Sequence, residues 1–114
     1  MKTDAFHLGH IVRAIQDIQS YVRPGPAIFF SDRMCQDAVI RKLEIIGEAV
    51  KALSSGAKAQ APEIPWRRIA GMRDRLIHGY FGVDLRLVWA VVEHELPRLA
   101  EAIQRINQSY PGSE

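Results

Sequence analysis

Between Arg67 and Arg75 this sequence places four arginines, Arg67, Arg68, Arg73 and Arg75, opposed there only by Asp74, and His78 and Tyr80 follow at once. A histidine with its ordinary pKa near ~6.5 moves protons at neutral pH. Arginine presents a planar fork of donors that matches phosphate oxygens. A tyrosine ring stacks or hydrogen-bonds, and its hydroxyl can accept a transferred group. The same residues also have a purely structural reading, in which Arg73 pairs with a carboxylate, His78 caps the last carbonyls of a helix and Tyr80 packs.

Helix geometry constrains how these side chains meet. With about 3.6 residues per turn, Asp74 and His78 share one face of a regular helix, and Arg73 and Tyr80 share another. Asp74 is then placed to hold the His78 imidazole. Arg73 and His78 would differ by about 140° on such a helix, so they converge only if the helix ends near His78 or if two chains contribute. Gly79 makes the first route available.

The elements that must position this segment are helical. Leu8, Ile11, Ile15, Ile18 and Val22 step by threes and fours and predict a first helix from Asp4 to about Val22, ended by Arg23-Pro24-Gly25-Pro26. Ser31 or Asp32 offers the N-cap of a second, long helix through about Ser54, with Val39, Leu43, Ile46, Val50 and Leu53 as its apolar stripe. Phe29 and Phe30 precede it as a staple, and residues 55–62 read as a polar loop. Pro65 suits the first turn of a third helix running to about His78. Gly79 and Gly82 break that helix and Asp84 caps a fourth, which carries Leu85, Val88, Val92, Leu96, Leu99, Ile103 and Ile106 and should kink at Pro97. The expected fold is an all-α, four-helix up-and-down bundle with a kinked last helix, one domain over residues 1–114 with a frayed tail from Ser109. The stripes on the first two helices could equally continue into a partner chain, so the pattern allows a homodimer.

Composition narrows the class. The 114 residues, 47% hydrophobic, suffice for one core of ordinary size. A formal net charge of +2 leaves any nucleic-acid contact to a local basic patch, and the arginines at 67–75 are such a patch. Cys35 is the only cysteine, which excludes an intrachain disulfide and fits a reducing cytoplasm. The start MKTDAFHLGH lacks the pattern of a signal peptide, and no apolar stretch approaches the ~20 residues of a membrane span, so a soluble cytoplasmic chain without membrane contact is expected.

Arg73, four residues, His78, one residue, Tyr80 resembles the R-x4-H-x-Y motif of the HEPN superfamily, specifically its HepT-like toxin branch. Asp74 fits the small polar residue that usually follows the arginine. The likeness extends through Trp66–Trp89, including GMRDRLIHGYFGVDLRLVW, and to Leu43-Glu44-Ile45-Ile46-Gly47-Glu48-Ala49-Val50 on the second helix. The resemblance implies an all-α homodimer with its active site at the dimer interface. It further implies an RNA-cleaving toxin paired with a minimal nucleotidyltransferase antitoxin, which transfers AMP from ATP to the tyrosine, here Tyr80. The toxin itself would need no cofactor.

The residue types suit that reaction. RNA carries its own nucleophile, so cleavage requires proton removal from the 2′-hydroxyl, stabilisation of the phosphorane and protonation of the leaving 5′-oxygen, with no metal. His78 would move the protons and Arg73 would hold the phosphate, leaving a 2′,3′-cyclic phosphate and a 5′-hydroxyl. A twofold axis near the site would supply the second histidine that acid and base roles need. AMP on Tyr80 would set a bulky anion beside Arg73 and block RNA.

Other residues have weaker readings. Arg67, Arg68 and Arg75 either extend an RNA-binding surface or are solvated helix residues. Glu48 either orients Arg73 or is a surface acid. His7, His10 and His94 lack the companions a metal site needs, and Trp66 and Trp89 are simplest as core anchors. The rival to an enzyme is a non-catalytic binding module of the same fold that docks a nucleotidyltransferase or a nucleotide without cutting RNA.

Overall fold

A computed structural model describes residues 3–77 and 82–109 of the chain. Their regular structure is helical, as the apolar spacing requires, apart from one isolated β-bridge between Ile77 and Val83. α1 spans Asp4–Tyr21 and buries Leu8, Ile11, Ile15 and Ile18 along one stripe. α3, Arg33–Ala52, buries Val39, Leu43, Ile46 and Val50 against it. The predicted cap is Asp32, whose carboxylate accepts from the amides of Met34 at 2.9 Å and Cys35 at 3.3 Å. The Cys35 thiol points back to the Tyr21 carbonyl at 3.5 Å, and burial, then the Asp32 charge, pushes its pKa up, so it stays a packed thiol.

Two short helices were not predicted. Pro26, read as part of a terminator, instead opens α2, Pro26–Ser31, because its missing amide proton and fixed φ suit a first turn. α2 delivers Phe29 into the core, where its ring meets Trp89 at 5.2 Å, and leaves Phe30 largely exposed. The expected loop at 55–62 contains α4, Ser55–Ala59, capped by the Ser54 hydroxyl, and Ser54 in turn donates to the Asp4 carboxylate at the start of α1.

The third predicted helix is two pieces, α5 at Trp66–Ala70 and α6 at Met72–Leu76, with Gly71 between them. Trp66 anchors the first piece, its indole donating to the carbonyls of Lys58 and Ala61, each at 3.0 Å. The fourth is α7, Leu85–Ala90, a π-helical turn, Val91–Glu95, and α8, Leu96–Asn107. Pro97 falls in the first turn of α8. Pro97 has no amide proton to donate, and just ahead of it the ladder widens, the Leu96 amide donating to the Val91 carbonyl, so the irregularity lies ahead of Pro97 rather than at it. α1 also packs on α8, and the buried apolar side chains of these helices join one core that contains no buried polar or charged residue among those described. Beyond Ser109, the tail expected to fray lies outside the described residues.

The closest approach in this core is at Gly47 of α3. A Cβ there would stand 3.2 Å from the Ile69 carbonyl oxygen, 3.4 Å from that of Ala70 and 3.4 Å from Met72 Cβ. The α5–α6 junction thus crosses α3 backbone to backbone, and a side chain at this position would have to push that backbone back by a few tenths of an ångström. Gly47→Val should lower stability by about 1–3 kcal/mol, the cost of an overpacked core site, read as a lower urea midpoint with an unchanged slope.

Candidate active site

α6 is fastened by its apolar residues, since Met72 and Leu76 are fully buried against α3 and the core. The intervening residues then point elsewhere by helical rotation. Arg73 and Asp74 face solvent, the Arg73 side chain being 75% exposed. Among the described residues its one ionic contact is loose, Nε lying 3.7 Å from Glu44 Oε2 on α3. The donor fork of Arg73 remains open to an incoming anion.

Arg75 leaves the other side of α6 and has a different task. Its two terminal nitrogens donate to the two Glu95 oxygens at 3.0 and 2.9 Å, a bidentate pair that ties α6 to the π turn. With a side chain only 15% exposed, Arg75 is neither a solvated helix residue nor free for RNA. The hydrogen bonds from Arg75 hold the Glu95 carboxyl below the usual range against the opposing effect of burial, and the charges of Arg75 and Arg68 add to this. Arg67 and Arg68 are exposed on α5, which both of their readings allow.

The helix bearing Arg73 stops earlier than the glycine signal suggested. Ile77 is already extended, at φ −113° and ψ 119°, and pairs with Val83. The Asp84 amide donates to the Leu76 carbonyl at 3.0 Å, and the Asp84 side chain caps α7 through the Leu87 amide at 3.1 Å. Gly82, at φ +121°, makes the turn into this closure with a conformation that L side chains rarely adopt. His78 and Tyr80, with Gly79 and Phe81, lie outside the described residues. Their flanks are nonetheless clamped to each other. The regular-helix relations of Asp74 with His78 and of Arg73 with Tyr80 are corrected by this finding, because both need helical dihedrals at Ile77.

Glu48 is also corrected as a partner of Arg73. Its carboxylate pairs with Lys51 at 3.3 Å, and the acid that meets Arg73 is Glu44, one turn earlier on the same face of α3. Sequence spacing could not choose between residues four apart, since the crossing geometry at Gly47 decides which turn faces α6. Glu95 carried no sequence signal either, because its partner is twenty residues away. Among the described residues, no three His, Cys, Asp or Glu side chains come together to hold a metal ion. None of the described helices is long and apolar enough to cross a membrane.

The described helices share one apolar core, and Arg73 stands exposed at its edge just ahead of the closure between Ile77 and Val83. The sequence profile described as "Ribonuclease HepT-like" matches residues 11–106. This chain belongs to the HepT-like ribonuclease family. It is 44% identical over 106 residues to "Probable ribonuclease HepT" of Thermococcus cleftensis, covering 90% of this chain and 94% of that protein. It is 40% identical over 110 residues to a "Putative RNase" of Caldanaerobacter subterraneus subsp. tengcongensis, covering 95% and 97% respectively. A Methanocaldococcus jannaschii protein described as "Gamma-glutamylcyclotransferase and putative RNase" is 46% identical over 101 residues; the match covers 88% of this chain but only 46% of that relative's length. No solved structure gives a significant match.

Glu95→Gln leaves Arg75 without its counter-charge in a half-buried place and should cost about 1–3 kcal/mol near neutral pH. The sign with pH follows from a carboxyl whose folded pKa is depressed. Its contribution is complete above the ordinary glutamate value and is lost as pH falls through the lower, folded value. Urea unfolding of the two proteins should therefore differ at pH 7 and converge in acid.

Proposed function

We propose that this chain is the toxin of a toxin–antitoxin pair, a metal-independent endoribonuclease in which Arg73 and His78 carry the reaction. The observation that supports this most directly is Arg73 itself, exposed on a helix whose neighbours are buried, in a chain whose relatives are named as ribonucleases. Arg73 binds the scissile phosphate and stabilises the charge that grows on its oxygens. His78 takes the proton of the 2′-hydroxyl, whose oxygen attacks phosphorus as the P–O5′ bond breaks. A protonated histidine, supplied by the second copy of a homodimer, returns a proton to the departing O5′. Arg67 and Arg68 give the strand further cationic surface, and Asp74 lies exposed beside the arginine. Arg75 belongs to the scaffold through Glu95.

Control of this reaction rests on Tyr80. A cognate nucleotidyltransferase antitoxin binds ATP, the Tyr80 hydroxyl attacks the α-phosphorus, and pyrophosphate leaves. The attached AMP sets a negative phosphodiester close to Arg73 and repels RNA. The setting is the cytoplasm, where both ATP and RNA are found.

Purified wild type should cleave RNA in the presence of EDTA and leave 2′,3′-cyclic phosphate ends, with His78→Ala and Arg73→Ala slower by about 10²–10⁴-fold. Loss of activity in EDTA would overturn the metal-independent mechanism. An inactive wild type that still binds the nucleotidyltransferase would leave the non-catalytic module. Incubation with ATP and the antitoxin should add AMP mass units by intact-mass spectrometry, and Tyr80→Phe should abolish them; modification at another residue would refute the assignment.

A further inference from the structure

A shallow groove of about 360 Å³ runs between α1 and α3, with Phe6, His7 and His10 on one side and Arg41, Glu44 and Glu48 on the other. Glu44 is the carboxylate that approaches Arg73, so the groove and the phosphate-binding arginine share a wall. The Phe6 ring meets His7 edge-on at 5.3 Å and His10 at 4.6 Å with a 59° tilt, forming an aromatic trio on the first turns of α1. Phe6 is 42% exposed, and His10 is exposed as well. The charges of this groove are already sorted. Glu44 faces Arg73, Glu48 pairs with Lys51, and Arg41 makes no ion pair among the described residues, which leaves a cation at the rim. The two histidines and two glutamates do not converge on a metal position.

We propose that this groove is a nucleotide subsite for the RNA strand held at Arg73. A base next to the scissile phosphate lies on the Phe6–His10 edge, and Arg41 binds the adjoining phosphate. The inference rests on the ribonuclease reading of Arg73. Unpaired bases are recognised by stacking on aromatic and histidine rings, with arginine on the backbone, and these are the groups that line the groove. Glu44 and Glu48 offer carboxylate oxygens to base amino groups.

The test separates binding from cleavage. In a His78→Ala background, a fluorescently labelled, unstructured RNA oligonucleotide is titrated by anisotropy against the parent, Phe6→Leu, His10→Ala and Arg41→Ala. Thermal unfolding checks that each variant folds; should Phe6→Leu fail, the two exposed positions carry the result. His10→Ala and Phe6→Leu together should raise Kd about tenfold or more, the loss of one stacked base. Arg41→Ala should weaken binding and reduce the salt slope by about 0.7, one phosphate contact on a single strand. With His78 restored, KM for cleavage should rise in step. Unchanged RNA affinity in folded variants overturns the subsite, whether or not the wild type cleaves. A changed molar mass by light scattering with unchanged RNA affinity overturns it too, by giving the groove to a second copy. Weakened binding in the groove variants of a protein that cuts no RNA upholds the subsite and refutes the ribonuclease reading instead.

Discussion

Where α3 passes the α5–α6 junction, the carbonyls of Ile69 and Ala70 lie so near Gly47 that a methyl group there would be crowded, at 3.2 and 3.4 Å. That contact sets the height and direction of α6 on the core. Met72 and Leu76 then fix its rotation by burial, and rotation alone decides that Arg73 and Asp74 reach solvent while Arg75 turns inward. Glu44 comes within reach of Arg73 for the same reason, since it stands three residues before Gly47 on α3. An arginine fork engages a planar anion in a bidentate way only when both donors are aimed, and a fixed helix supplies that aim.

Two arginines separated by one residue thus serve opposite purposes. Arg75 has its donors filled by Glu95 and acts as a strut between α6 and the π turn. Among the described residues Arg73 has one loose ionic contact, with Glu44, and its side chain is largely exposed. The π turn has a part in this division of labour. It accommodates Pro97 and places Glu95 where the carboxylate can meet both terminal nitrogens of Arg75. With no buried polar group among the described residues, the electrostatics are confined to the rim of the apolar core, where charges are inexpensive to keep and free to meet a charged substrate.

The segment between Ile77 and Val83 is the other constrained feature. A bridge at its base and the Asp84 amide on the Leu76 carbonyl bring the ends of α6 and α7 together. Ile77 and Val83, the flanks of residues 78–81, are thereby held together between two helices.

The core stripes of α1, α3 and the last helix, the caps at Asp32 and Asp84, the helical class and the family motif were all legible in the sequence. Each depends on local periodicity or on contacts within a few residues, which spacing along the chain encodes. The sequence alone did not reveal the helix at Pro26, the division of the third helix at Gly71, the extended Ile77, or the choice of Glu44 over Glu48 and of Glu95 for Arg75. The choice of Glu44 and of Glu95 is settled where α6 crosses α3 and the π turn, and a crossing angle leaves no periodic trace. Arg73 was singled out by its place in a motif, but its exposure follows from the burial of Met72 and Leu76 on the opposite face of α6.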